Sequence, residues 1–161
     1  MAQRDSGQIS FVEAMMPAGL GRNVRLERLS EMVRWYRFEK LLKGVRAQAL
    51  TGRPAYAPLM MFRALVLQSL YGLSDAEIEA ALSDRLSFRR FAGLGLEAGT
   101  PDHTTLCRFR NALVEAGVLD KLFGELERQL DAAGLILRRG TMLDATIIET
   151  SAARPRDGRA A

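Results

Sequence analysis

The stretch "PLMMFRALVLQSLYG" (58–72) constrains the fold more than any other part of the chain. A proline opens it, a glycine closes it, and apolar residues fill nearly every side of the helix between them. Proline in the first helical turn forfeits no hydrogen bond, and glycine just past the end can take the left-handed cap. A helix that is apolar all round must be surrounded by others. It is interrupted by Arg63 and is too short to span a bilayer. It is therefore expected to be the central buried helix of a domain that does not enter the membrane.

The flanking sequence supplies the surrounding helices. Over 24–45, Leu26, Leu29, Val33, Tyr36 and Leu41 recur at roughly helical spacing and predict one helix. "TGRPAYAP" (51–58) breaks it. In "LSDAEI", Ser74 and Glu77 have capping-box spacing, and Leu73 with Ile78 has that of a hydrophobic staple. The amphipathic "RLSFRRFAGL" leads into glycines at 93, 95 and 99. Thr100-Pro101 predicts a further helix start, the hydroxyl at the N-cap and the proline at the first helical position. That helix carries the stripe Leu106, Phe109 and Leu113 and ends at Gly117. A last helix aligns Leu119, Leu122, Phe123, Leu126 and Leu130 before Gly134.

After Arg138-Arg139-Gly140 the period changes to that of a strand, "GTMLDATIIET". The expected organisation is a loose arm over 1–23, a helical domain over 24–135, a strand within 138–150 and a disordered tail over 151–161. With 161 residues, 48% of them apolar, the chain can bury a real core. One cysteine, Cys107, rules out an intramolecular disulfide, and with a single histidine it argues against a Cys/His zinc site. Residues 1–10 are too polar for a signal peptide, so the cytoplasm is the expected compartment. A net charge of +4 suits a polyanionic partner without requiring one.

Well-capped helices joined by tight turns raise a helix-turn-helix reading, with the helix opening near Thr100 as the one that enters DNA. Thr104, Arg108 and Asn111 share one face at i, i+4, i+7 spacing, with His103 and Arg110 beside it. Arginine suits guanine edges or phosphates, asparagine suits adenine, and threonine suits phosphates or thymine methyls. The same face could equally be the solvated side of a helix in any bundle. Arg85, Arg89 and Arg90 offer phosphate contacts or an ordinary basic patch. Asp144, alternating with Met142, Thr146 and Ile148, is paired with an arginine such as Arg138 or Arg139, lies at a strand edge, or binds metal.

Taken in order, "GRPAYAPLMMFRALVLQSLYGLSDAEIEAAL", "PDHTTLCRFRNAL" and "GTMLDATIIE" resemble the N-terminal region of DDE-type insertion-sequence transposases with an InsH-like N-terminal domain. The resemblance covers about 52–150. It implies a helical region that binds the ends of the element, through Thr104, Thr105, Arg108 and Arg110 among others, followed by an RNase H-like catalytic sheet. By resemblance, Asp144 is the first catalytic carboxylate, on the first strand of that sheet. Strand transfer in such enzymes uses two magnesium ions about 4 Å apart. One carboxylate cannot hold two ions, and the family's second aspartate and its glutamate lie downstream of this chain.

The expectation is therefore a mainly α chain: a helical bundle with a helix-turn-helix-like region, then one strand of an incomplete RNase H-like domain. It is expected to bind the terminal repeats of an insertion sequence and to lack catalysis alone. Alternatively, frameshift fusion completes an active strand transferase, or the chain interferes with an intact transposase through mixed oligomers. Trp35 and Tyr36 could supply such a partner surface or belong to the core.

Overall fold

The computed structural model describes residues 14–43, 45 and 56–135. Among them every regular element is a helix, and no helix is long and apolar enough to cross a membrane. The strand expected within 138–150, with Asp144, and the tail over 151–161 lie outside the described residues.

The helices are α1 (Val24–Met32), α2 (Tyr36–Leu42), α3 (Pro58–Tyr71), α4 (Asp75–Asp84), α5 (Leu86–Ala92), α6 (His103–Glu115) and α7 (Leu119–Ala132). As its composition demands, α3 is central and touches α2, α4, α5 and α6. Met61, Phe62, Ala64, Val66 and Leu67 on it are almost wholly buried. Phe62 stacks on Phe38 of α2 at 5.1 Å and meets Phe123 of α7 edge-on at 5.6 Å. Aromatic contacts of this geometry add about 0.5–1.5 kcal/mol each beyond simple burial. Pro58 takes the first helical position, and Gly72 closes the helix at φ +61. The capping box at Ser74 forms in both directions, Ser74 N to Glu77 Oε2 at 2.7 Å and Glu77 N to Ser74 Oγ at 3.3 Å.

The single helix expected over 24–45 is instead two. Val33 turns extended after giving its N–H to Leu29, and α2 begins only at Tyr36. Tertiary contacts stabilise the break. The Trp35 indole N–H reaches back to Ser30 O at 3.1 Å while its ring packs on Phe38 and Phe91. The Arg34 N–H, released from the helix, is accepted by Gln129 Oε1 of α7 at 2.6 Å. Trp35 therefore belongs to the core, and Tyr36 faces solvent.

The arm also ends less loosely than its composition predicts. Residues 17–22 form two successive turns, and Arg90 Nη1 donates to Leu20 O at 2.9 Å. Gly21 is needed where these turns meet α5. Its φ is +70, and a Cβ there would stand 2.5 Å from Leu86 Cβ.

Candidate nucleic-acid interface

Helix α6 buries Leu106, Phe109 and Leu113, the stripe its spacing predicts. Its start differs from expectation. Asp102, and not Thr100, is the N-cap, accepting from Thr105 N at 2.7 Å and from Thr104 Oγ1 at 2.5 Å. Pro101 lies ahead of the helix and is buried. Both Thr100 and Asp102 have capping side chains, but the Thr100 hydroxyl is already engaged by Arg89 at 3.1 Å.

Asp102 sits among these donors and the helix N-terminus, which stabilise its anion and hold its pKa down at about 2. The charged cap therefore contributes stability above the ordinary carboxylate pKa of 3.8, and that contribution fades as pH falls toward about 2. Asp102→Ala is expected to cost about 1 kcal/mol at neutral pH, a few degrees of melting temperature. The gap between variant and wild type should close on acidification over that window. A gap that is constant from pH 7 to pH 2 would contradict the cap assignment.

Two polar clamps fix α6 against its neighbours. At its first residue, His103 N and His103 Nδ1 both meet Glu79 Oε2 of α4 at 2.8 Å. Further along, Arg110 reaches Asp75 of α4, with Nη1 to Oδ2 at 3.3 Å and Nη2 to Oδ1, while Nη2 also donates to Gln68 Oε1 of α3 at 2.9 Å. Gln68 Nε2 donates to Asp75 Oδ1 at 2.7 Å and closes the triad. The Arg110 guanidinium, then the Gln68 amide, hold the Asp75 carboxyl below its usual range. The main-chain and ring N–H groups of His103 do the same for Glu79. Asp75 and Glu79 were not singled out in the sequence. Their i, i+4 spacing on a helix that must pack beside His103 and Arg110 is the signal that could have found them.

The predicted DNA residues thus divide. His103 and Arg110 orient α6. Thr104 and Thr105 help form its cap, although the Thr104 side chain remains at the surface. Arg108 and Asn111 are exposed on the same face as Thr104, and Arg108 makes no hydrogen bond or ion pair among the described residues. Cys107 beside them is half-buried and reduced.

The basic triplet also divides. Arg85 is exposed and lies over the Phe88 ring at 5.1 Å, and Arg90 is exposed while anchoring Leu20. Arg89 is 7% exposed. Its guanidinium donates to the carbonyls of Leu82 (3.2 Å), Gly95 (2.5 Å), Leu96 (3.3 Å) and Ala98 (2.7 Å), as well as to Thr100. A phosphate could not reach it without dismantling segment 93–102, so it leaves the candidate set. That irregular segment has carbonyls with no helical partner, and arginine's fork of donors satisfies several at once.

Short turns do not precede α6, which follows the irregular segment 93–102; the tight link is the turn at 116–118 into α7. The exposed residues of α7 are of mixed charge, with Asp120 and Lys121 in its first turn and Arg128 and Asp131 in its last turns. Of the two helices that flank this turn, α6 carries the exposed row Thr104, Arg108 and Asn111.

The sequence profile of a family described as a transposase domain (DUF772) matches residues 15–112, more than half of the chain and all of the exposed row on α6. No solved structure matches the chain.

Proposed function

Because the chain belongs to the DUF772 transposase-domain family, we propose that it is the DNA-binding N-terminal portion of a DDE-type insertion-sequence transposase with an InsH-like domain, and that it recognises the ends of the element. The exposed row Thr104, Arg108 and Asn111 carries this reading. It offers donors suited to base edges on a helix that the Glu79 and Asp75 clamps hold in one orientation. A preset helix needs less ordering when it enters the major groove, where each base pair shows a distinct donor–acceptor pattern. We assign α6 as the reading helix, supported by α4 through the two clamps and not by a helix joined to it through a tight turn. Arg85 and Arg90 supply backbone contacts.

In this reading Asp144 is the first carboxylate of an RNase H-like catalytic domain that uses magnesium. Among the described residues no three His, Cys, Asp or Glu side chains gather to hold a metal. The contribution proposed for the helical region is to bind and orient DNA.

The test is a titration of the full chain against duplexes carrying the element's own ends and against shuffled duplexes, over a range of salt. Preference for the ends, with affinity falling as salt rises, is the expected result. Each phosphate neutralised contributes about −0.9 to the slope of log affinity on log salt concentration. Equal affinity for both duplexes would overturn end recognition, and absence of a salt slope would overturn DNA binding altogether.

A further inference from the structure

Between the α1–α2 junction and the last turns of α7 lies an open cleft of about 280 Å³. Arg34 and Arg37 line it from the α1–α2 junction and Arg128 from α7, over Met32 and Ala132. Its polar framework is fixed. Gln129 is buried, accepts the Arg34 N–H at 2.6 Å and donates to Glu125 Oε1 at 2.7 Å. The Glu125 carboxylate also receives Arg128 Nη2 at 2.7 Å and Arg37 Nη1 at 3.4 Å. One carboxylate therefore orients two guanidinia, while the Arg34 side chain has no carboxylate partner among the described residues.

Three guanidinia against one carboxylate leave a surplus of two positive charges around the cleft. Gathering like charges raises the energy of the free protein, and a bound anion relieves it. Tyr36, 62% exposed, stands beside them, and the Arg37 and Arg34 guanidinia hold its phenol below the usual range. Its hydroxyl is correspondingly a good donor toward an anionic oxygen.

We propose that this cleft binds a phosphodiester of the DNA backbone, a sequence-independent contact separate from the reading face of α6. Guanidinium forks match phosphate oxygens two at a time, which favours arginine over lysine where geometry matters. Glu125 sets two of the forks in advance, and the small Ala132 leaves the floor open. The inference rests on the DNA-binding reading above and deepens it: a backbone contact away from α6 fixes the register in which α6 meets the bases.

The experiment measures fluorescence anisotropy of a random-sequence DNA duplex at several salt concentrations, with the full chain and its variants. Arg34→Gln with Arg128→Gln should weaken binding about tenfold and flatten the salt slope by about one to two phosphates. The paired lysine variant should keep most of the slope. Arg34→Gln alone removes a side chain with no carboxylate partner, so it should lose part of the affinity without lowering the melting temperature. It carries the test if the paired variant unfolds. Wild-type binding that Arg34→Gln and the folded paired variant leave unchanged in affinity and slope overturns the cleft alone. A wild-type chain that binds no DNA overturns the DNA-binding reading and the cleft with it.

Discussion

Arg89→Ala is expected to bring the protein to the edge of unfolding. The side chain is buried, and its removal strands the carbonyls of Leu82, Leu96 and Ala98 and leaves that of Gly95 with only the Ala98 N–H. Hydrogen bonds from a charged donor contribute about 1.5–3 kcal/mol each, and every buried acceptor left alone costs about 1–3 kcal/mol. Even after water reaches some of these groups, a loss of about 4 kcal/mol or more is expected, against a total stability of about 5–15 kcal/mol for a domain. Arg89→Lys restores the charge but places a single ammonium where a planar fork spans several acceptors, so it should recover only part of the loss. Thermal unfolding followed by circular dichroism, with hydrogen exchange over 93–102, makes the measurement. A melting temperature for Arg89→Ala within about 2 °C of wild type would show that the guanidinium contributes little to the fold, since such a shift is under ~1 kcal/mol.

Arg89 also marks where local reading of the sequence stops being sufficient. The features that were legible are those set within a few residues: Pro58 and Gly72 bounding α3, the Ser74–Glu77 box, and the Leu106, Phe109 and Leu113 stripe. Each depends on one turn of backbone or on helical period, and no distant residue alters it. Arg85, Arg89 and Arg90 look alike in the sequence, because their fates depend on carbonyls and rings brought to them by the fold. The break at 33–35 is hidden for the same reason. Its stabilising partners are Gln129, distant on α7, and a pocket for Trp35 formed with α2 and α5. Thr100 and Asp102 are both good caps by type, and the demand of Arg89 on the Thr100 hydroxyl fits the choice of Asp102. For the candidate site, spacing gave the exposed row on α6. It could not distinguish the arginine that faces solvent from the one two residues later that holds the helix in place.

That distinction gives the second large effect. Arg108→Ala should leave the melting temperature unchanged, because the side chain is exposed and makes no hydrogen bond or ion pair among the described residues. Its cost should fall on recognition, about 1–3 kcal/mol or roughly 10- to 100-fold for the element's ends, and less for shuffled DNA. Arg110→Ala should do the reverse. It removes a guanidinium that is about two-thirds shielded, 31% exposed against 28% for Asp75, and leaves that carboxylate supported by Gln68 alone. A loss of about 1–2 kcal/mol of stability is expected, between a surface pair and a buried one. DNA affinity should fall modestly for the element's ends and less for shuffled duplexes, since α6 loses its fixed orientation while the backbone contacts of Arg85 and Arg90 remain. A double-mutant cycle separates the two roles. Arg110→Ala and Asp75→Ala should be coupled by about 0.5 kcal/mol or more in stability, whereas Arg108→Ala and Asp75→Ala should be additive. If Arg110→Ala keeps the melting temperature and abolishes the preference for element ends, Arg110 reads DNA directly and the clamp assignment is wrong.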